Sequence, residues 1–156
     1  MDKDQRFIVS PQTIDFSISN IVEAIDKGNA LLALDGIDDL SEEERLNYSD
    51  SIILKPSYQR DYRATVQDES SLIESILVGI PIPPVFMSST RYRGVQVLDV
   101  VDGQHRLNAF YRFRNGKFQL QELPLIDGLN GKDFSELSIE DKERFVSHKL
   151  SAYVFR

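Results

Sequence analysis

The stretch VVDGQHRLNAFYRF, residues 100–113, sets a carboxylate, a glycine, a carboxamide, an imidazole and a guanidinium side by side at Asp102, Gly103, Gln104, His105 and Arg106. An apolar run precedes them and an amphipathic run follows, the pattern of a buried strand feeding a helix. The first N–H groups of a helix lack intrahelical partners and carry the positive end of its dipole, so such a junction is a ready anion site. Gly103 lets the backbone come close to a ligand, and Arg106 can fork onto phosphate oxygens. Asp102 could hold Mg2+, directly or through water, or orient a nucleophilic water. His105 could donate to phosphate or shuttle a proton. The same residue types also have ordinary uses: Asp before a helix is a common N-cap, Gly a common turn residue, and Arg common in the first turn of any surface helix.

A second group, YQRDYR, combines Tyr58, Gln59, Arg60, Asp61, Tyr62 and Arg63. Two guanidiniums so close together can grip a polyphosphate, and a tyrosine can stack on a base. The alternative is a surface loop whose Arg and Asp pair among themselves. The remaining candidates have structural readings. His148 beside Lys149 falls near a helix end, where a cation suits the dipole. Phe110, Tyr111 and Phe113 lie on a helix that must bury a face. IPIPP, residues 80–84, is a rigid connection between a helix and a strand.

The elements that must position these groups follow from period and punctuation. Ile18, Ile21, Val22 and Ile25 have helical spacing over 17–27, with Gly28 expected at C′. Residues 35–50 are acidic and nearly devoid of apolar side chains, hence a solvated loop or short surface helix. A short β-branched strand is expected at 52–54. A helix follows from Thr65, in capping-box register with Asp68, to Gly79. Strands are expected at 82–87 and 95–101, the second apolar enough to be buried on both faces. A helix at 104–114 ends at Asn115 and Gly116, Ser138 and Asp141 begin another, and LSAYVF reads as a closing strand. Residues 1–50 are expected to form an N-terminal extension with a short helix and an acidic segment. Residues 51–156 form the site-bearing domain, expected to be truncated at its C-terminal end because the chain stops one residue past an apolar β run.

Composition narrows the functions. The chain has 156 residues, 41% of them hydrophobic, enough for one ordinary core. A net charge of -7 argues against coating DNA by charge alone, so any DNA contact is local or supplied by another part. Arg91, Arg93, Arg112, Arg114 and Lys117 could make such a contact. There is no cysteine, hence no disulfide framework or thiolate zinc site, and two histidines make a His-rich metal site improbable. With neither a signal-like N-terminus nor an apolar span, the expected location is the cytoplasm.

Taken in order, SYQRDYR, LIESILVGIPIPPVFM, VVDGQHRLNAFYRFRNGKFQL and FSELSIEDKERFVSHKLSAYVF resemble the N-terminal domain family of GmrSD-type modification-dependent restriction endonucleases, within the ParB/sulfiredoxin-like superfamily. The resemblance covers residues 52–155. It implies an α+β domain with a small mixed sheet flanked by helices, whose DGQ-x-R turn binds a nucleoside triphosphate with Mg2+ and hydrolyses it to regulate DNA cleavage. Asp102, Gly103, Gln104 and Arg106 match the family's signature, and Tyr58, Gln59 and Arg60 match its upstream loop. Two departures bear on base choice and hydrolysis: His105 stands where the commonest form has a second Gln, and the Trp that follows the upstream loop is replaced near Ala64 and Thr65. The resemblance thus assigns chemistry to Asp102, Gln104, His105 and Arg106, with Asp102 also on the metal. It assigns nucleotide binding to Tyr58, Gln59, Arg60, Arg63 and Gly103. In full-length relatives DNA is cut by a separate C-terminal nuclease domain with a histidine-centred metal site, so DNA is reached only through such a domain or a partner. The alternative is a non-enzymatic ParB-like DNA-binding or protein-interaction module.

Overall fold

A computed structural model describes residues 11–34, 39–54 and 64–156. Among them are strands β1 (Gln12–Ser17), β2 (Ser51–Ile53), β3 (Val85–Tyr92), β4 (Val95–Asp102) and β5 (Lys149–Phe155). The helices are α1 (Ile18–Ala33), α2 (Glu42–Asn47), α3 (Val66–Val78), α4 (Gln104–Arg114) and α5 (Ile139–Ser147), with short 3-10 turns at Asp127–Leu129 and Phe134–Glu136. The strands form one mixed sheet in the order β1-β5-β3-β4-β2. β1 is antiparallel to β5, β5 parallel to β3, β3 antiparallel to β4, and β4 parallel to β2. The result is the α+β architecture expected from the sequence, a small mixed sheet flanked by helices.

The β2–β4 pairing matters most for function. These two strands run the same way with Ile53 opposite Asp99, so both end at one edge of the sheet. The chain leaves β2 beside the place where β4 delivers Asp102 and Gly103 to α4. In open sheets this is where ligands gather, outside the carboxyl ends of parallel strands.

Phe110, Phe113 and Phe145 are fully buried, and both Phe110 and Phe113 meet Phe145 edge-on at 6.4 and 5.4 Å. This confirms the core reading of Phe110 and Phe113. Ile18, Ile21, Val22 and Ile25 of α1 join the same cluster. Thus the stretch read as an N-terminal extension contributes β1 and α1 to the shared sheet and core. A smaller cluster, Leu31, Leu40, Ile53, Val95 and Val97, is continued by Leu32, Leu34 and Tyr48.

Three expectations are corrected. Gly28 is not a C′ residue; it lies inside α1, where a Cβ would stand 2.0 Å from the Ile52 carbonyl oxygen, so glycine lets the helix press onto β2. β3 starts at Val85 rather than 82, because Pro83 and Pro84 carry no N–H to give a ladder. It then runs on to Tyr92 and turns into β4 through Arg93 and Gly94, with φ of 52° and 79°, the left-handed pair of a tight hairpin. β1 itself was not expected. By contrast α3 has its Thr65–Asp68 capping box and its left-handed Gly79, and α4 runs over 104–114 as read. The acidic segment holds α2, a surface helix with no buried residue.

Candidate functional site

The DGQHR junction is built around Gly103. Its φ of +105° lies in the left-handed region, and a Cβ there would stand 2.5 Å from Cγ1 of the fully buried Val85. Gly103 is also the N-cap of α4, so Asp102 does not have the ordinary capping role open to it from sequence. The other helices begin on a hydroxyl that accepts a backbone N–H: Ser17 from Asn20 at 3.0 Å, and Ser41, Thr65 and Ser138 from Glu44, Asp68 and Asp141 at 3.1 Å. α4 has no side-chain cap. Its ladder starts with Leu107 N–H to the Gly103 carbonyl, so the first turn of α4 precedes the helical ladder, as at any helix start.

The side chains of the motif divide their work. Gln104 folds back, its Nε2 donating to the carbonyls of Val100 and Val101, each at 3.2 Å. Arg106 donates from Nη1 to the Pro83 carbonyl and from Nη2 to that of Pro84, the latter at 3.3 Å. Its Nη2 also stands 3.9 Å from Asp102 Oδ2, the Arg side chain being 17% exposed and the Asp 70%. Arg106 therefore ties the turn to the proline connection before β3. Asp102 and His105 present their side chains to solvent.

His105 lines a cleft of about 340 Å3 together with Ala64, Asp68, Glu69 and Leu72. The α3 side of this cleft has no local signal in the sequence apart from the helical spacing that puts Asp68, Glu69 and Leu72 on one turn. Glu69 is 1% exposed, and its Oε2 accepts from Arg112 Nε at 2.8 Å, which pins α3 to α4. Ala64, the residue after Arg63 in the sequence, is part of the lining of this cleft. Tyr58, Gln59, Arg60 and Arg63 themselves lie outside the described residues. A larger cleft, about 410 Å3, involves Leu77, Ile126, Leu129 and Arg144 and contains none of the motif residues.

Three of the four arginines considered for a DNA contact are engaged within the chain, while Arg91 is exposed. Arg112 holds Glu69, Arg114 lies over the Phe134 ring at 4.6 Å, and Arg93 donates to the Leu34 carbonyl at 3.3 Å. Among the described residues no group of three or more His, Cys, Asp or Glu side chains could hold a metal ion. A lone exposed carboxylate such as Asp102 suits Mg2+ that arrives with phosphates, since Mg2+ keeps several waters and takes one or two protein carboxylates.

No helix among the described residues is long and apolar enough to cross a membrane. No curated protein and no solved structure matches the chain. Residues 37–156, well over half of the chain, match the family described as GmrSD restriction endonuclease, N-terminal domain. The fold, the order of the motifs and this match agree: the chain belongs to the GmrSD restriction endonuclease N-terminal domain family and is a restriction-system component.

Proposed function

We propose that the domain binds a nucleoside triphosphate at the start of α4 and acts as the nucleotide-sensing, NTP-hydrolysing part of its restriction system. The observation that carries this reading is the glycine-led start of α4 without a side-chain cap, beside a cleft lined by His105, Ala64 and Asp68. The N–H groups of Gln104, His105 and Arg106 would take phosphate oxygens, which suits both their geometry and the helix dipole. Arg60 and Arg63 would add positive charge, with Tyr58 and Gln59 shaping the pocket. Gly103 lets the phosphates approach the backbone. Gln104 and Arg106 fix the shape of the turn through the carbonyl bonds they make.

Asp102 would hold the Mg2+ that accompanies the triphosphate. The ion, when bound, neutralises phosphate charge and polarises the terminal phosphoryl group. Asp102 and His105 are the exposed groups of the turn able to orient a water and move a proton. The acidic net charge and the engaged arginines count against a broad DNA surface on this domain, so contact with DNA falls to a nuclease domain or partner.

Calorimetric titration with ATP, GTP, CTP and UTP, with and without Mg2+, tests the reading. Saturable binding should appear with at least one of them, and Asp102→Asn should remove most of its Mg2+ dependence without affecting folding. Phosphate release by the wild type, lost in Asp102→Asn, would establish turnover. A folded chain that binds none of the four, or an Asp102→Asn variant with unchanged Mg2+ dependence, would refute the assignment.

A further inference from the structure

Two surfaces flank the start of α4, and they differ in chemistry. One is the sheet face where Phe86, the register partner of Asp102, meets Tyr153 and Phe155 at ring-centroid distances of 5.3 and 6.2 Å. The other is the α3–α4 cleft lined by Ala64, Asp68, Glu69, Leu72 and His105. The second is concave. At about 340 Å3 it falls at the small end of ligand pockets, which run from roughly 300 to 1,000 Å3. That is room for a base and its sugar.

The described walls of this cleft suit a base. Among the described lining residues two are carboxylates: Glu69 is neutralised by Arg112, and Asp68 is exposed, so a phosphate placed beside Asp68 would meet a like charge. Ala64 and Leu72 supply apolar contact, and the imidazole of His105 supplies a planar surface. Asp68 already uses Oδ2 to accept the Thr65 N–H at 3.4 Å, which fixes the carboxylate at the rim and leaves acceptor capacity for a ring or exocyclic N–H of a base. We infer that the α3–α4 cleft is the nucleobase pocket, with the phosphates outside it on the N–H groups of α4, and that Asp68 sets the order of preference among bases. This rests on the proposed nucleotide site and adds to it which end of the nucleotide each part takes. The His105 imidazole then stands where the two parts meet, its ring forming a wall on the base side.

The test compares Mg2+-tripolyphosphate, which has no base, with the four Mg2+-NTPs on three proteins. In the wild type the preferred NTP should bind at least tenfold more tightly than tripolyphosphate. Ala64→Trp fills the cleft and gives this tryptophan-free chain a fluorescent reporter; it should reduce NTP affinity to the tripolyphosphate level and leave tripolyphosphate binding unchanged. Asp68→Asn keeps the helix cap; it should alter the ranking of the four NTPs and leave tripolyphosphate affinity unchanged. If Ala64→Trp, with wild-type circular dichroism, binds NTP as tightly as the wild type, the base lies elsewhere and this inference fails while the nucleotide site stands. Loss of tripolyphosphate binding in Ala64→Trp, or its strengthening in Asp68→Asn, would put phosphates in the cleft and overturn the inference in the same way. A wild type that binds neither ligand removes the nucleotide site and the base pocket together. Should Ala64→Trp misfold, Asp68→Asn decides alone, an unchanged NTP ranking overturning the assignment.

Discussion

The chemistry of the junction depends on single residues whose roles separate cleanly. Gly103 combines a left-handed φ of +105° with a contact that leaves 2.5 Å for a Cβ against buried Val85. Gly103→Ala should therefore cost about 2 kcal/mol of stability, from backbone strain and overpacking together. Urea unfolding of the purified variant measures this, and a loss below ~0.5 kcal/mol would mean that the turn relaxes freely. His148 makes a prediction of a different kind. It caps the C-terminal end of α5, its carbonyl accepts the Ile18 N–H at 2.9 Å, and burial holds its imidazole below the usual histidine range. The unfolded chain thus takes up the proton more readily than the folded one. The stability this supplies is complete above the ordinary value near 6.5 and is lost as pH falls from there through the lowered folded value. His148→Gln should flatten that part of the pH–stability curve, and an unaltered slope between about pH 6.5 and 5 would show that other groups are responsible. The identities of the junction residues were legible in the sequence because the motif is local. The partners of Arg106 were not, since nothing in residues 83 and 84 announces that their carbonyls will meet a guanidinium 23 and 22 residues later.

Among the elements, α1 and the α3–α4 pair make the sharpest predictions. Replacing a mid-helix glycine with alanine ordinarily stabilises by about 1 kcal/mol. Gly28→Ala should do the reverse, destabilising by about 2 kcal/mol, because its Cβ would sit 2.0 Å from a backbone oxygen of β2 that cannot swing aside. A rise in melting temperature would contradict the close approach. Between α3 and α4, Arg112→Ala leaves Glu69 charged, 1% exposed and without its partner, and should cost roughly 2 kcal/mol; Glu69→Leu with Arg112→Leu should cost less than that single change. Chemical denaturation of the single and double variants checks the order, and equal costs would mean that the ion pair contributes nothing to the packing of the two helices. The elements with local signals were legible: α3 from Thr65, Asp68 and Gly79, α4 from Asn115 and Gly116, β4 from its apolar run. Gly28 misled because a glycine after an amphipathic stretch usually marks a helix end, and its real reason is a contact with a strand 24 residues away.

For the whole molecule, the sheet cannot be cut at the edge of the family match. That match begins at residue 37, yet β1 and α1 precede it, and they pair with β5 and fill the core. A chain lacking residues 1–33 would lose Ile18, Ile21, Val22, Ile25 and Leu31, all buried, and would bare the edge of β5. It should fail to give a cooperative thermal transition; a sharp transition with native-like circular dichroism would contradict the shared core. β1 escaped the sequence because QTIDFS offers only two alternating apolar residues, Ile14 and Phe16, and its partner strand lies more than 130 positions away. The cleft was hidden for the same reason. Ala64 and His105 come to line one cleft through the packing of α3 on α4, which no local pattern encodes.

The central claim is that the backbone at the start of α4 binds the phosphates of a nucleotide. At 17.8 kDa the chain suits two-dimensional amide NMR, and titration with Mg2+-NTP reads those N–H groups one by one. The amides of Gln104, His105 and Arg106 should shift in a saturable manner and by more than those around Arg144 in the larger cleft. Saturable shifts confined to that larger cleft, or no shifts at 104–106 with any of the four nucleotides, would contradict the account.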